Sequence, residues 1–429
     1  MNSVIYSVFV LYVIILIIKR AAFVYYIPLF NVLLDVSFFY LGPGSLATYY
    51  RGAVISLFLI FILGHFRYKF PVKKVLIIFL VFTAILTATS SELYFSIKGY
   101  TQVFFSLMML PVGYMLINTP EKLSRLNRQL IVVIYVSVFL TAIGYVFNIG
   151  KQFNYGEDEQ KIGLLGSAGL YTGAMCIALL PLLINDIKNK TLRLITYFTA
   201  VVLYIFILLN MRRTAIMIPF VGIVAFVMTT KKKLQYLAYI TATAVLILIG
   251  SIWYGDTLKS RFEYRKEAGR FETDFYKTES RYLEVVNLSR SVFSFSDPLA
   301  SFFGLGHNIF AEHIRNDKIV RRMYHTDFGK LLYGAGIVGL LLYLYFCVRL
   351  FIHSNILKKE KGAYLNQVKA MIFALAVINF ALMFNGSLNL VTLKTSIFLY
   401  LGALIRIYHR ERRQLKMKSI ANGSVVPAS

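Results

Sequence analysis

Cysteine is close to absent from this chain: Cys176 and Cys347 are the only two in 429 residues. Both fall inside apolar runs, so no disulfide framework is available. Charge is also sparse. Only 15% of residues are charged, against roughly 25% in soluble proteins, which excludes an ordinary soluble domain. Acids are scarcer still, 20 against 46 Lys and Arg. No long polar segment is available on the basic side to house a nucleotide-binding catalytic domain, and no internal repeat of the inverted kind found in many secondary transporters is present.

What is present is apolar surface: 58% of residues are hydrophobic, with a mean hydropathy of +0.66. Successive runs are long enough to cross about 30 Å of hydrocarbon. The net charge of +26 does not point to nucleic acid. Much of it lies in short clusters abutting apolar runs, Lys19-Arg20, Lys73-Lys74, Lys231 to Lys233 and Arg406 to Lys418, which hold loops on the cytoplasmic side. The first run, Val4 to Ile18, has no basic lead-in and no small-residue cleavage site after it, so it reads as a span and not a signal peptide.

Working inward from the basic clusters gives spans at 4–18, 21–41, 52–66, 75–91, 99–117, 130–148, 164–186, 192–210, 214–230, 234–254, 330–352, 368–386 and 390–408. The expected fold is an all-α polytopic membrane protein of twelve or thirteen transmembrane helices. About ten lie in residues 1–254 and three in 330–408, with a large extracytoplasmic loop at 255–329 and a cytoplasmic basic tail at 409–429. The loop carries Phe271, Tyr276, Tyr282, Phe293, Phe295, Phe302 and Phe303, too apolar for disorder, and is expected to fold against the membrane surface.

Arg212 and Arg213 interrupt an otherwise apolar stretch from Leu194 to Thr230. One helix over that stretch would run about 55 Å, nearly twice the hydrocarbon thickness. The chain must therefore turn at the arginines, on the side opposite the flanking basic clusters. Such a pair either snorkels to headgroups or grips a phosphate through bidentate guanidinium forks. In the loop, periodicity predicts an amphipathic helix from Thr278 to Phe293, with Tyr282, Val285, Val286, Ser289, Val292 and Phe293 on one face and Arg281, Glu284 and Asn287 on another. Asp297-Pro298 bars its continuation, and Arg290 lies on its last turn.

Three of the six histidines, His307, His313 and His325, fall in the loop. No cysteine joins them and their spacing fits no standard zinc pattern, so no metal is expected. Glu157-Asp158-Glu159 reads as a solvated acidic turn. His325 stands just before the returning span, beside Asp327. An unperturbed imidazole, with a pKa of about 6.5, is mostly neutral at pH 7 and able to accept a proton. Intramembrane charge is thin on this reading, with Asp35 and Lys98 near span ends the nearest cases.

Four passages together resemble the O-antigen polymerase/ligase superfamily. They are Asn210-Met211-Arg212-Arg213-Thr214-Ala215, Glu279-Ser280-Arg281-Tyr282, Phe303-Gly304-Leu305-Gly306, and His325 through Gly336-Ile337-Val338-Gly339-Leu340. Many relatives carry an acid two residues before the first glycine of that last motif, where this chain has Gly334. The departure tilts the reading from ligase toward polymerase. The resemblance implies a glycosyltransferase in the bacterial inner (cytoplasmic) membrane that uses a polyprenyl-diphosphate-linked oligosaccharide, without cofactor, metal or nucleic acid. Membrane lipid and a chain-length regulator protein are its implied partners. Arg213, Arg281 and His325 are the implied catalytic residues, with Arg212, Glu284, Arg290, His307 and Asp327 binding substrate. The alternatives are an O-antigen ligase or protein oligosaccharyltransferase with the same donor, and a transporter or flippase of lipid-linked glycans.

Overall fold

The computed structural model describes residues 2–40, 45–63, 70–90, 93–147, 164–210, 212–230, 280–304, 310–315, 318–324, 326–354 and 362–421, with isolated positions 241, 259 and 263. The helices are α1 (Asn2–Ile18), α2 (Ile27–Tyr40), α3 (Ser45–Leu63), α4 (Lys73–Ala88), α5 (Leu93–Leu116), α6 (Pro120–Val146), α7 (Ser167–Leu183), α8 (Lys190–Leu209) and α9 (Arg213–Thr229). They continue with α10 (Ser280–Phe293), α11 (Pro298–Phe303), α12 (Asp327–Ser354), α13 (Ala363–Ala381) and α14 (Val391–Ala421). Among the described residues, six helical stretches are long and apolar enough to cross a membrane: Pro120–Val146, Ala168–Asp186, Lys190–Leu209, Asp327–Ser354, Ala363–Asn385 and Val391–Leu415. This is the architecture of a multi-pass membrane protein.

Several expectations shift. The span at 21–41 is not one helix: a tight 3-10 stretch, Arg20–Tyr25, precedes α2. α6 begins well before 130, because Thr119 caps it by accepting from the Lys122 N–H at 3.3 Å, with Pro120 following. α14 runs unbroken past 408 through the basic segment to Ala421. The all-α architecture holds, and the described residues add to it a short antiparallel hairpin, Phe310–Arg315 with Lys318–Met323, in which His313 pairs with Val320. The span expected at 234–254 lies outside the described residues, apart from Thr241.

α14 is the axis. In its most apolar stretch 94% is buried, against 33% for α8, so α8 sits at the rim. α5 lies along α14 with backbones almost touching. A Cβ on Gly113 would collide with the Leu399 carbonyl, and one on Gly402 with the Leu110 carbonyl. Such close approach of small residues is how helices pack where lipid removes the usual hydrophobic drive.

Hydrogen bonds fix which helix ends share a face. Arg410 Nη1 donates to Asn118 O at 2.8 Å, Arg193 Nη2 to Ile187 O at 2.8 Å, and Gln367 Nε2 to Pro181 O at 2.9 Å. These join the ends of α5, α7 and α14 to the starts of α6, α8 and α13, gathering Lys122, Arg125, Arg128, Lys188, Lys190 and Arg193 on one basic face. At the opposite face Asn389 Nδ2 donates to Gln102 Oε1 at 3.0 Å, and Leu388 N to Asp327 Oδ1 at 2.7 Å. There the starts of α5, α12 and α14 meet.

Candidate functional site

The site is assembled at that opposite face. α8 ends at Leu209 and α9 begins at Arg213, so the chain turns over Asn210 to Arg212, where the arginines predict it. Arg213 is exposed and Arg212 partly so. Arg212 occupies the N-cap position without capping through its side chain. The start of α9 therefore combines a guanidinium pair with the positive end of a helix dipole, an arrangement that favours an anion. One turn further on, Met217 Sδ accepts from Asn385 Nδ2 at 3.2 Å. Asn385 closes the 3-10 stretch Leu382–Asn385 at the end of α13. The arginine turn is thereby joined to the crossover into α14.

That crossover is pinned from below by a buried ionic cluster. Asp327, the first residue of α12, is fully buried. Its Oδ1 accepts from the Leu388 N–H and its Oδ2 from Ser387 Oγ at 3.3 Å. Lys330 Nζ stands 3.8 Å from Oδ1 and Lys394 Nζ 3.9 Å from Oδ2. Lys330 also donates to Gly386 O at 3.1 Å and Lys394 to Asn379 Oδ1 at 2.9 Å. Asn379 in turn reaches Cys347 Sγ at 3.5 Å. One carboxylate thus answers two lysines inside the bundle. Buried charges persist only when hydrogen-bonded and paired in this way.

Asp327 was expected at the substrate. It is turned inward with both oxygens engaged by protein groups, and these contacts join the start of α12 to the crossover. A second, partly buried ion pair, Asp35 with Arg51, joins α2 to α3. Arg51 also donates to Asn31 O at 3.3 Å, and Asn31 Nδ2 to Thr395 Oγ1 of α14 at 3.0 Å. Intramembrane charge is therefore richer than the sequence reading held.

α10 docks on α12 through Leu288 and Val292, which bury against Tyr324 and Leu332. Phe293, expected on the apolar face with Val292, is 55% exposed. The contact stripe follows Leu288 and Val292, one helical turn apart, and Phe293 lies about 100° round from Val292. α11 is capped by Asp297, whose Oδ1 accepts from the Ala300 N–H at 3.1 Å. It ends against a kink in α12: Gly336 adopts φ 62°, and a Cβ there would meet the Phe302 carbonyl and, at 2.6 Å, Gly304 N. A Cβ on Gly304, itself at φ 102°, would lie 2.6 Å from Gly334 C. The two glycine motifs singled out in the sequence are thus a single backbone contact.

Of the expected site residues, Arg212, Arg213 and Asp327 come together at this face. Arg281 and Glu284 lie in the first turns of α10, and Arg290 is exposed on its last turn. His307 and His325 lie outside the described residues. Among the described residues no cluster of three or more His, Cys, Asp or Glu is placed to hold a metal. The sequence reading missed Lys330, Lys394, Asn379 and Ser387. A lone lysine four residues into the span at 390–408 was the available signal. No protein-family model matches the chain, and no curated protein matches it.

Proposed function

We propose that this protein is a glycosyltransferase of the bacterial cytoplasmic membrane. It polymerises polysaccharide repeat units carried on polyprenyl diphosphate, at the extracytoplasmic face opposite its basic clusters. The observation that carries the reading is the connection of the Arg212-Arg213 turn, through Met217 and Asn385, to the crossover that Asp327 clamps. It supports a diphosphate held at the start of α9, beside the segment that leads into α12.

In the reaction, an acceptor sugar hydroxyl forms a bond to the anomeric carbon of the donor glycan as the bond from that carbon to the diphosphate breaks. The electron pair leaves with the diphosphate. Arg213 and Arg281 stabilise its growing negative charge as fixed cations, and His325 takes the hydroxyl proton. Arg212, Glu284, Arg290 and His307 bind the saccharide. Asp327 acts through the start of α12, two residues from His325, and is a positioning residue.

The test is purified protein with a single lipid-linked repeat unit. A ladder of longer lipid-linked chains, with no other acceptor added, is the expected result. No extension with the cognate unit, together with transfer to lipid A core or to a protein, would make the enzyme a ligase. One observation favours a second reading, a flippase of lipid-linked glycans: buried Asp327, Lys330 and Lys394 are of the kind that line transport paths. Movement of a labelled lipid-linked unit across proteoliposomes without any new glycosidic bond would establish that reading instead.

A further inference from the structure

A second polar feature lies at the basic face, away from the site above. The connection between α1 and α2 and the start of α6 enclose a cavity of about 390 Å³, lined chiefly by Lys19, Tyr25, Tyr26, Arg125, Arg128 and Gln129. Its lining contains no acid. Among the described residues no carboxylate comes within ion-pair distance of Lys19, Arg125 or Arg128. The acid nearest in effect, Asp186, feels the charge of Arg128, but its carboxylate already accepts from Asn127 Nδ2 at 2.5 Å and from Ser124. The cavity lining therefore carries net positive charge and several hydrogen-bond donors, the requirements of a phosphate.

Beneath it the surface turns apolar. Along α6 the face bearing Arg125 and Arg128 continues through Val132, 36% exposed, to Phe139, 62% exposed. α2 packs directly on α6, and Leu29 and Leu33 on one of its faces, together with Tyr26 just before it, stay only partly buried. A cationic pocket opening onto an apolar furrow matches an amphiphile with an anionic head. We propose that this cavity binds the phosphate headgroup of an anionic phospholipid, with an acyl chain along the α2–α6 furrow. Basic pockets between helices at the cytoplasmic side recognise such headgroups. The proposal stands apart from the glycosyl-transfer reading, because it uses neither the arginine turn nor the loop.

The experiment is native mass spectrometry of the full-length protein in detergent, titrated with phosphatidylglycerol or with phosphatidylethanolamine of the same acyl chains. Wild type should retain phosphatidylglycerol preferentially. Arg125→Gln/Arg128→Gln should bind it roughly 25-fold more weakly, from about fivefold per charge, with phosphatidylethanolamine unchanged. The control, Lys188→Gln/Lys190→Gln, removes as much charge from the same face and should bind like wild type. Arg125→Lys/Arg128→Lys, which keeps the charge, should recover much of the binding and covers the case in which the glutamine protein fails to fold. Undiminished binding in a folded glutamine variant would overturn the proposal, as would an equal loss in the control. Displacement of phosphatidylglycerol by millimolar inorganic phosphate would assign the cavity to a free anion and overturn the lipid assignment.

Discussion

At the scale of single residues, the arginine turn and the ionic cluster make opposite demands on substitution. A guanidinium that grips a diphosphate acts through its planar fork, so lysine is a poor replacement. Arg213→Ala is expected to lower turnover by about 10²–10³, as for loss of one transition-state donor, and Arg213→Lys to recover little of it. His325→Ala should lose about 10²–10⁴ in rate with donor binding nearly intact. Single-turnover assays on lipid-linked donor check both, with His307→Ala as the control for a general effect of loop histidines. Wild-type rates in folded Arg213→Ala would remove that residue from the mechanism.

The cluster should register in stability first. Asp327→Asn leaves Lys330 and Lys394 buried without their carboxylate. Breaking a buried pair in this way costs about 3–5 kcal/mol. Lys394→Met leaves Asp327 with Lys330, Ser387 and the Leu388 N–H, so it should be the milder change. Thermal denaturation of both variants in detergent measures the order. A Lys394→Met protein less stable than Asp327→Asn would show that the carboxylate is not the hub.

At the scale of elements, the α5–α14 contact carries the bundle. Gly113 and Gly402 face carbonyls of the partner helix with no room for a methyl, and helix backbones yield little. Gly402→Ala is therefore expected to destabilise by about 1–3 kcal/mol through overpacking. By contrast Gly362, with open space around it, should tolerate the same change except for its positive φ of 111°. Yield of monodisperse protein and the detergent melting temperature compare the two. α10 and α11 are held differently. Their contacts with α12 run through a small separate cluster and the Gly304–Gly336 approach, which leaves Phe293, Phe295, Leu299, Phe302 and Phe303 exposed together.

For the whole molecule, the orientation rests on the basic face. The hydrogen bonds that gather Lys188, Lys190 and Arg193 with the ends of α5, α7 and α14 make one side strongly positive, and the positive-inside rule predicts that this side is cytoplasmic. Cysteine at Lys190 and cysteine at Arg290, each introduced singly at an exposed position, should label oppositely with an impermeant reagent on intact cells. The native Cys176 and Cys347 are both buried and give little background. Equal labelling at the two positions would refute the orientation.

Much of this architecture was legible in the residues. Apolar run length set where helices form, because crossing hydrocarbon demands about twenty apolar residues and satisfied backbone groups. The turn at Arg212-Arg213 followed from length alone, and the helix at 280–293 from its period. Three things were not legible. The span at 21–41 opens with a 3-10 stretch whose Phe23, Val24 and Tyr25 are buried in the bundle, a tertiary setting that no local propensity records. Gly304 and Gly336 carry positive φ because two backbones meet there, a contact between segments more than thirty residues apart. Lys394 passed as an isolated charge because its partners, Asp327 and Asn379, come from other helices. The sequence by itself determined that this is a helical membrane protein with arginines at a turn, since hydropathy and charge act along the chain. Only the tertiary structure decided that Asp327 faces inward to two lysines, since pairing of buried charge depends on which helices the fold brings side by side.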